Sequence, residues 1–109
     1  MPAKKVSCPV EVTLDVIAGR WKILIIHQLL ESTKRFNQLQ RELGGITHRT
    51  LAKQLRDMEE RRLIKRKDYQ EIPPRVEYSL TALGRTLEHL LVAMQKWGEY
   101  YEQTASRKK

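Results

Sequence analysis

Two short apolar patterns on either side of Gly44 and Gly45 constrain the fold more than any other feature of the chain. Apolar residues recur at helical spacing over residues 35–43, and they recur again over residues 48–58, directly after Thr47, which is a good N-cap. The two glycines suit the end of the first helix and the turn that follows it. Two short amphipathic helices joined by a glycine-containing turn predict a helix-turn-helix.

The second of these helices has a basic side. At about 100° per residue, Leu51, Leu55 and Met58 share one face, and cationic side chains occupy the opposite face. Such a face, together with the first turn, can reach phosphates and base edges when a helix enters the major groove with its N-terminus first. We therefore expect this helix to contact DNA through Thr47, His48, Arg49, Thr50, Lys53 and Arg56.

Positive charge is concentrated around the same segment. The chain has 109 residues and a formal net charge of +8, and residues 34–67 hold 11 basic and four acidic side chains, so seven of the eight excess charges lie in this third. This concentration is typical of a surface that binds phosphate, because each neutralised phosphate releases counterions. The alternative is a solvated helix face in a basic protein.

The pattern changes to a period of two after Ile64, over residues 65–69 and again over residues 75–80. Pro73 and Pro74 lie between these segments and cannot donate ladder hydrogen bonds, which favours a stiff hairpin tip. A basic hairpin directly after a helix-turn-helix is a wing. We expect its cations to act on the DNA backbone or the minor groove, through Lys65, Lys67 and Arg75.

Helices are also predicted at both ends of the chain, over residues 9–18 and 20–30 and, capped by Thr81, over residues 81–103. The last would be roughly 34 Å long and would overhang a small domain. It carries apolar residues in alternating steps of four and three, a heptad stripe that predicts burial against a second copy. These candidate interface residues are Leu83, Leu87, Leu90, Met94, Trp97 and Tyr101.

Length and composition restrict the remaining choices. A chain this short favours one domain, which here covers residues 1–109. We expect this domain to be mainly α-helical with a small β-hairpin wing. Its DNA-reading part is expected at about residues 35–80. The longest aliphatic run, residues 23–26, is far below the roughly 20 residues of a membrane span. With no apolar leader at the start and one cysteine, the chain is expected in the cytoplasm, without membrane contact.

Several segments together resemble one known family, the HxlR-type transcriptional regulators, which are relatives of the MarR-type winged-helix proteins. The segments are CPVEVTLDVIAGRWKILIIHQLL (8–30), RFNQLQRELGGITHRTLAKQLRDMEERRLIKR (35–66), PPRVEYSLTALG (73–84) and WGE (97–99). The resemblance implies a homodimeric DNA-binding repressor or activator that pairs through its first and last helices, about residues 9–18 and 81–103. It also implies that the fourth helix enters the major groove and that the wing lies on the flanking minor groove or backbone.

Some members of that family sense oxidants, quinones or electrophiles through a cysteine near the start, and Cys8 occupies that position. Cys8 is also the expected N-cap of the first helix, where unpaired backbone N–H groups favour a reactive thiolate. The alternative is that Cys8 is a small packed apolar residue near a dimer interface. Both interpretations stay open at the level of sequence.

The sequence offers little for other chemistry. His27, His48 and His89 are scattered without metal-ligand spacing, so we expect no metal and no cofactor. The aromatic residues near the ends are interpreted as core or interface residues. The alternative is a pocket for a small-molecule effector between the long helices.

Three functional classes therefore compete. A sequence-specific dimeric transcription factor explains the basic helix, the wing and the heptad stripe together. A non-specific architectural or RNA-binding winged helix would share the charge but would show no preference among DNA sequences. An enzyme would need a convergent nucleophile, base and oxyanion site that one cysteine and three isolated histidines do not supply.

Overall fold

The structure is a computed structural model that describes residues 8–107. The predicted class, mainly α-helical with a small β-hairpin wing, is confirmed. In chain order the described elements are α1 (Pro9–Val16), α2 (Trp21–Glu31), β1 (Lys34–Arg35), α3 (Phe36–Leu43), α4 (His48–Glu60), β2 (Ile64–Asp68), β3 (Val76–Leu80), α5 (Ala82–Arg85) and α6 (Glu88–Arg107).

Helix α2 is the centre of the core, as its apolar sequence predicts. Its residues Ile25, Ile26 and Leu29 are buried and belong to one cluster with residues from α3, α4 and the sheet. The other buried apolar residues of the cluster are Leu39, Ile46, Leu51, Leu55, Met58, Leu63, Ile64, Tyr78 and Leu80. The helix-turn-helix is therefore fixed to the core by the apolar faces of both its helices.

The sheet has three antiparallel strands in the order β1-β3-β2. Ile64 pairs with Leu80 at the core end of the wing, and Asp68 pairs with Val76 at its outer end. Strand β1 was not predicted, because two residues are too few to show an alternating pattern. We expected Arg35 to begin the third helix, but it lies in β1 opposite Glu77.

The turn between α3 and α4 has the predicted cap. The backbone N–H of Thr50 donates to Oγ1 of Thr47 at 3.1 Å, which satisfies one of the free donors at the start of α4. Gly44 and Gly45 have φ values of 63° and 82°, a left-handed conformation that glycine adopts without strain. The cap and the turn set the direction in which α4 leaves the core.

The prediction of one uninterrupted helix over residues 81–103 is wrong. Thr81 does cap a helix, since its Oγ1 accepts from the N–H of Gly84 at 2.9 Å, but that helix, α5, ends at Arg85. The next backbone N–H groups, of Thr86 and Leu87, bond three residues back rather than four, and α6 begins at Glu88.

This break divides the heptad stripe. Leu87 is half-buried and packs against the chain's own core, whereas Leu83 on α5 is exposed and lines a cleft with Val12 and Val16 of α1. The stripe is therefore not one continuous surface. Its exposed part on α6 consists of Met94, Trp97 and Tyr101.

Candidate nucleic-acid interface

The outer face of α4 is basic and accessible. Arg49, Lys53 and Arg56 are exposed, and none of the ion pairs formed within residues 8–107 involves any of the three. The inner face is buried through Leu51, Leu55 and Met58, as the periodicity predicts. Since the helix is anchored on one side, its cations are presented on the other without an internal partner that would have to be displaced.

The first turn of α4 has structural contacts of its own. The ring of His48 lies against the ring of Phe36, with centroids 4.5 Å apart, so the start of α4 contacts the start of α3. Oγ1 of Thr47 accepts from the backbone of Thr50 and also lies 3.0 Å from its hydroxyl. The polar residues at this end therefore help to set the position of the helix as well as being available at its surface.

Several cations counted from the sequence are already paired. Lys34 is only 3% exposed, and its Nζ donates to Oε1 of Glu31 at 2.8 Å, to Gln28 at 3.2 Å and to Glu42. The hydrogen bonds to Glu31 and Glu42 raise the pKa of Lys34, so the ammonium is firmly charged. The ammonium of Lys34 joins α2, β1 and α3 through these hydrogen bonds, and it is not free to bind phosphate.

Arg61 is paired in a similar way. Its Nε donates to Asp57 at 3.0 Å and its Nη1 to Asp15 on α1 at 3.3 Å. The basic surface is therefore smaller than the charge count along residues 34–67 suggests, because a count of charges cannot show tertiary ion pairs.

The three predicted wing cations differ in their surroundings. Lys65 and Lys67 are exposed on β2. Arg75 is bound within the wing, since its Nε and Nη2 donate to the two carboxylate oxygens of Glu71 at 3.2 and 3.1 Å, and its guanidinium lies 3.5 Å from the ring centroid of Tyr69. The pairing with Glu71 raises the pKa of Arg75. Arg75 thus stabilises the wing in this structure.

Arg66 is a further candidate contact, and it is not among the residues predicted from the sequence. In the β2–β3 register Arg66 is opposite Tyr78, on the same side of the strand as the buried Ile64, and it lines a groove of about 320 Å³ between α4 and the wing together with Arg56. The period-two pattern contains the necessary signal: counting by two from Ile64 places Arg66 on the side that faces α4.

Both ends of the described chain have exposed apolar surface. Helix α1 has no buried residue, and Val10, Val12 and Leu14 are exposed on it. On α6, Trp97 and Tyr101 are 62% and 56% exposed and stack on each other with ring centroids 5.2 Å apart. Exposed apolar residues gathered on two helices of a small domain are typical of an interface with another molecule.

The candidate redox residue lies next to this surface. Cys8 is an exposed free thiol at the N-cap of α1, and its side chain makes no capping hydrogen bond. Its carbonyl oxygen accepts from the N–H of Glu11 at 2.9 Å.

The ligand pocket considered as an alternative corresponds to an open cleft of about 280 Å³ between α2 and α6. It is lined by Ile23, Leu24, His27, Leu91, Met94 and Gln95. Across the part of the chain that the structure describes, no three His, Cys, Asp or Glu residues lie together as a metal-binding group. The helices within that part also lack the combination of length and apolarity that crossing a membrane requires.

The helix-turn-helix, its exposed basic helix and the adjoining wing define a winged helix-turn-helix transcriptional regulator. Known proteins support this class: the family model described as "HxlR-like helix-turn-helix" matches residues 16–106. The chain belongs to the HxlR-like helix-turn-helix family, which confirms the resemblance inferred from its motifs.

Two relatives from Bacillus subtilis illustrate this membership. The uncharacterized HTH-type transcriptional regulator YdeP is 47% identical over 96 residues, which cover 88% of this chain and 75% of YdeP. The uncharacterized HTH-type transcriptional regulator YybR is 47% identical over 95 residues, which cover 87% of this chain and 76% of YybR.

Solved structures show the same fold. The redox regulator HypR in its reduced form superposes with a TM-score of 0.86 at 43% identity, over 92% of this chain and 99% of that chain. The oxidized form of HypR gives a TM-score of 0.80 at 47% identity, over 85% of this chain and 96% of that chain. A structure described as a putative transcriptional regulator of the MarR family, from Porphyromonas gingivalis W83, superposes with a TM-score of 0.83 at 36% identity, over 91% of this chain and 97% of that chain.

Proposed function

We propose that this regulator is a homodimer that binds a palindromic DNA operator in a sequence-specific manner and represses or activates transcription from it. The observation that carries the proposal is the outer face of α4, where Arg49, Lys53 and Arg56 are exposed and form no ion pair within residues 8–107, while the opposite face is anchored in the core. A helix held in this way can enter the major groove as a rigid body. Thr47, His48 and Thr50 are then at its leading end.

The dimer is inferred from the exposed apolar residues of α1 and α6, which a second copy would cover. A two-fold axis between two copies presents two α4 helices to half-sites roughly 34 Å apart, which is one turn of DNA. An operator read in this way is an imperfect palindrome. We propose that the exposed residues Leu83, Met94, Trp97 and Tyr101 take part in this contact, and that Leu90 contributes as a half-buried neighbour.

Selection from a pool of random duplexes tests the function directly. The chain should enrich a palindromic sequence, and that duplex should then outcompete a scrambled duplex of equal length and charge. Equal competition by the scrambled duplex would instead support non-specific binding, and preference for single-stranded or double-stranded RNA would support an RNA-binding winged helix.

Arg49 is the best candidate for reading a base, because it is exposed near the N-terminus of α4. Arg49→Ala should weaken binding to the selected duplex by about 10- to 100-fold and should relax the preference at one position of each half-site. Affinity should be measured against a panel of single base-pair variants of the duplex. A loss of equal size on every variant would show that Arg49 contacts phosphate only.

Lys65 and Lys67 are proposed to contact the DNA backbone from the wing. Their joint replacement by Ala should reduce the slope of log affinity against log salt by about one for each phosphate contact that is lost. The matched control is Lys96→Ala, which removes an exposed lysine from α6 and should leave the slope unchanged. A slope that stays the same in the double variant would contradict the assignment.

We further propose that Cys8 makes DNA binding sensitive to oxidants or electrophiles. An exposed thiol on a helix at the proposed dimer contact supports this, as does the similarity to HypR, whose structures are described as oxidized and reduced forms of a redox regulator. With one cysteine per chain, two Cys8 thiols would give up two hydrogens to a diazene oxidant such as diamide and form one disulfide between chains.

The prediction for Cys8→Ser is that binding to the selected duplex becomes insensitive to diamide, whereas diamide changes the affinity of the unmodified protein. Gel-shift titrations with and without diamide measure this, and non-reducing electrophoresis reports the linked chains. If diamide leaves the affinity of the unmodified protein unchanged, Cys8 is not a sensor.

We assign no enzymatic activity to the chain, because its family and relatives are described as transcriptional regulators. Since the proposed partner is duplex DNA, we propose that the protein acts in the cytoplasm. A small-molecule effector in the α2–α6 cleft remains the second regulatory candidate.

A further inference from the structure

Four charged side chains, which we call the Arg61 network, connect α1 and α2 to the end of α4. Asp57, in the last turn of α4, lies 3.2 Å from Nζ of Lys22 on α2 and accepts from Nε of Arg61 at 3.0 Å. Arg61 directly follows α4, and its Nη1 also donates to Asp15 on α1 at 3.3 Å. The network therefore joins the DNA-reading helix to a helix of the proposed dimer contact.

The inner and outer members of the Arg61 network differ in exposure. The side chain of Lys22 is 11% exposed, whereas that of Asp15 is 74% exposed. Burial alone would raise the pKa of Asp57, but the hydrogen bonds from Lys22 and Arg61 outweigh it, and the pKa lies below its usual value. The contact between Arg61 and Asp15 is the weakest link, because solvent screens an exposed ion pair.

Helix α1 lies over an open cleft and is not packed tightly on the core. The cleft has a volume of about 190 Å³ and separates α1 from α5 and the residues that follow it, and its lining includes Val12, Val16, Arg61, Leu83 and Leu87. Because this space is not filled, α1 can shift without disrupting closely packed side chains. The position of α1 therefore depends on its ion pair with Arg61 and on any molecule that covers its exposed side.

Arg61 is attached to α4 by its backbone and by its side chain. Its N–H donates to the carbonyl oxygen of Asp57 at 3.0 Å, and its Nε donates to the carboxylate of the same residue. Helix α4 is continuous over its 13 residues, a length of about 20 Å at 1.5 Å per residue. A force on Arg61 is therefore transmitted to the whole helix, including Arg49 and Lys53 on its outer face.

We infer that Arg61 is a positioning residue that couples the pairing of two copies to DNA binding by α4. The inference rests on the proposed function, in which a second copy covers α1. A covered α1 fixes Asp15, Asp15 holds Arg61, and Arg61 holds the last turn of α4 in the arrangement that binds a half-site. By linkage, DNA bound to α4 strengthens the pairing of chains by the same factor. We expect a factor of about two to five, the range for one exposed ion pair.

A duplex that contains one half-site of the selected palindrome tests the coupling, because it cannot bridge two copies. Sedimentation equilibrium gives the dissociation constant of the dimer without this duplex and at a saturating concentration of it. The ratio of the two constants is compared between the unmodified protein and the variants Asp15→Asn, Arg61→Gln and Glu11→Gln. Repulsion between two bound duplexes is common to all of them, so a difference in the ratio reports coupling through the protein.

Asp15→Asn and Arg61→Gln should each reduce the strengthening of the dimer by the duplex by about two- to fivefold. Adding Asp15→Asn to Arg61→Gln should give no further reduction, because the two residues act through one contact. Glu11→Gln is the matched control: it removes an exposed carboxylate from the same helix, and Glu11 takes part in none of the ion pairs among the described residues. Its ratio should equal that of the unmodified protein.

The inference and the function on which it rests can fail separately. If no duplex is enriched from the random pool, or if the chain is monomeric even on the enriched duplex, the proposed function is wrong and the inference with it. If a dimer binds an enriched palindrome but Asp15→Asn gives the same ratio as the unmodified protein, only the inference is wrong. An ion pair that merely attaches α1 to its own chain would change thermal stability and leave the ratio unchanged.

Discussion

Replacing Trp97 and Tyr101 together by Asp is expected to yield a monomer that loses binding to the palindromic duplex by at least about a hundredfold. The two rings stack on each other at the outer half of α6 and are more than half exposed, so the core of the single chain does not need them. In the proposed dimer they are covered, and two carboxylates placed there would have to be desolvated without partners. Without the dimer, each α4 binds its half-site alone.

Sedimentation equilibrium measures the first part of this prediction, because one chain has a mass of 12.9 kDa and the dimer twice that mass. Gln103→Asp is the matched control: it adds a carboxylate at an exposed position about 200° around α6 from Tyr101, and it should remain dimeric. A double variant that sediments as a dimer would show that the aromatic pair lies outside the interface.

Gly84→Ala is expected to destabilise the fold by about 3 kcal/mol. A Cβ atom at Gly84 would lie 2.1 Å from the backbone oxygen of Leu63, far inside contact distance. That oxygen cannot easily retreat, because it accepts hydrogen bonds from both the N–H and the hydroxyl of Thr81 at 3.0 and 3.1 Å. The methyl group would therefore force α5 away from the turn that joins α4 to β2.

Gly98→Ala is the control for this change. Gly98 lies within α6, and a Cβ atom there would meet no atom within 4 Å, so the substitution should be neutral or stabilise the helix by up to about 1 kcal/mol. Urea unfolding of the two variants at one protein concentration measures the difference, since dimerisation makes the apparent stability depend on concentration. If the free energy of unfolding of Gly84→Ala equals that of Gly98→Ala, the close approach at Gly84 relaxes at little cost.

The parts of the fold governed by local patterns were predictable from the sequence. The buried face of α4 follows from the spacing of Leu51, Leu55 and Met58, and the start of that helix follows from the capping preference of Thr47. The two wing strands follow from a period of two around a pair of prolines. In each case the determining residues are within a few positions of one another.

The errors concern contacts that the periodicity of apolar residues and a count of charges do not describe. The helix predicted over residues 81–103 is divided after Arg85, close to the place where Gly84 lies against the backbone of Leu63, 21 positions earlier, and no pattern within the helix reports that contact. Lys34 and Arg75 have carboxylates within eight positions in the sequence, Glu31 and Glu42 for Lys34 and Glu71 for Arg75, but a count of charges does not show which of these pairs form. For the candidate interface, the amphipathic character of α4 is thus predictable from the sequence, whereas only the folded structure shows which cations are not already in ion pairs.

Helix α1 has little cover from the rest of its own chain. It has eight residues, no buried side chain and few anchors to the rest of its own chain, among them the ion pair of Asp15 with Arg61 at 3.3 Å. A helix of that length is marginal in water by itself. If a second copy supplies its missing cover, ordering of α1 and pairing of chains become one cooperative event. In the proposed function, occupancy of the operator would then rise more steeply than linearly with the concentration of the regulator.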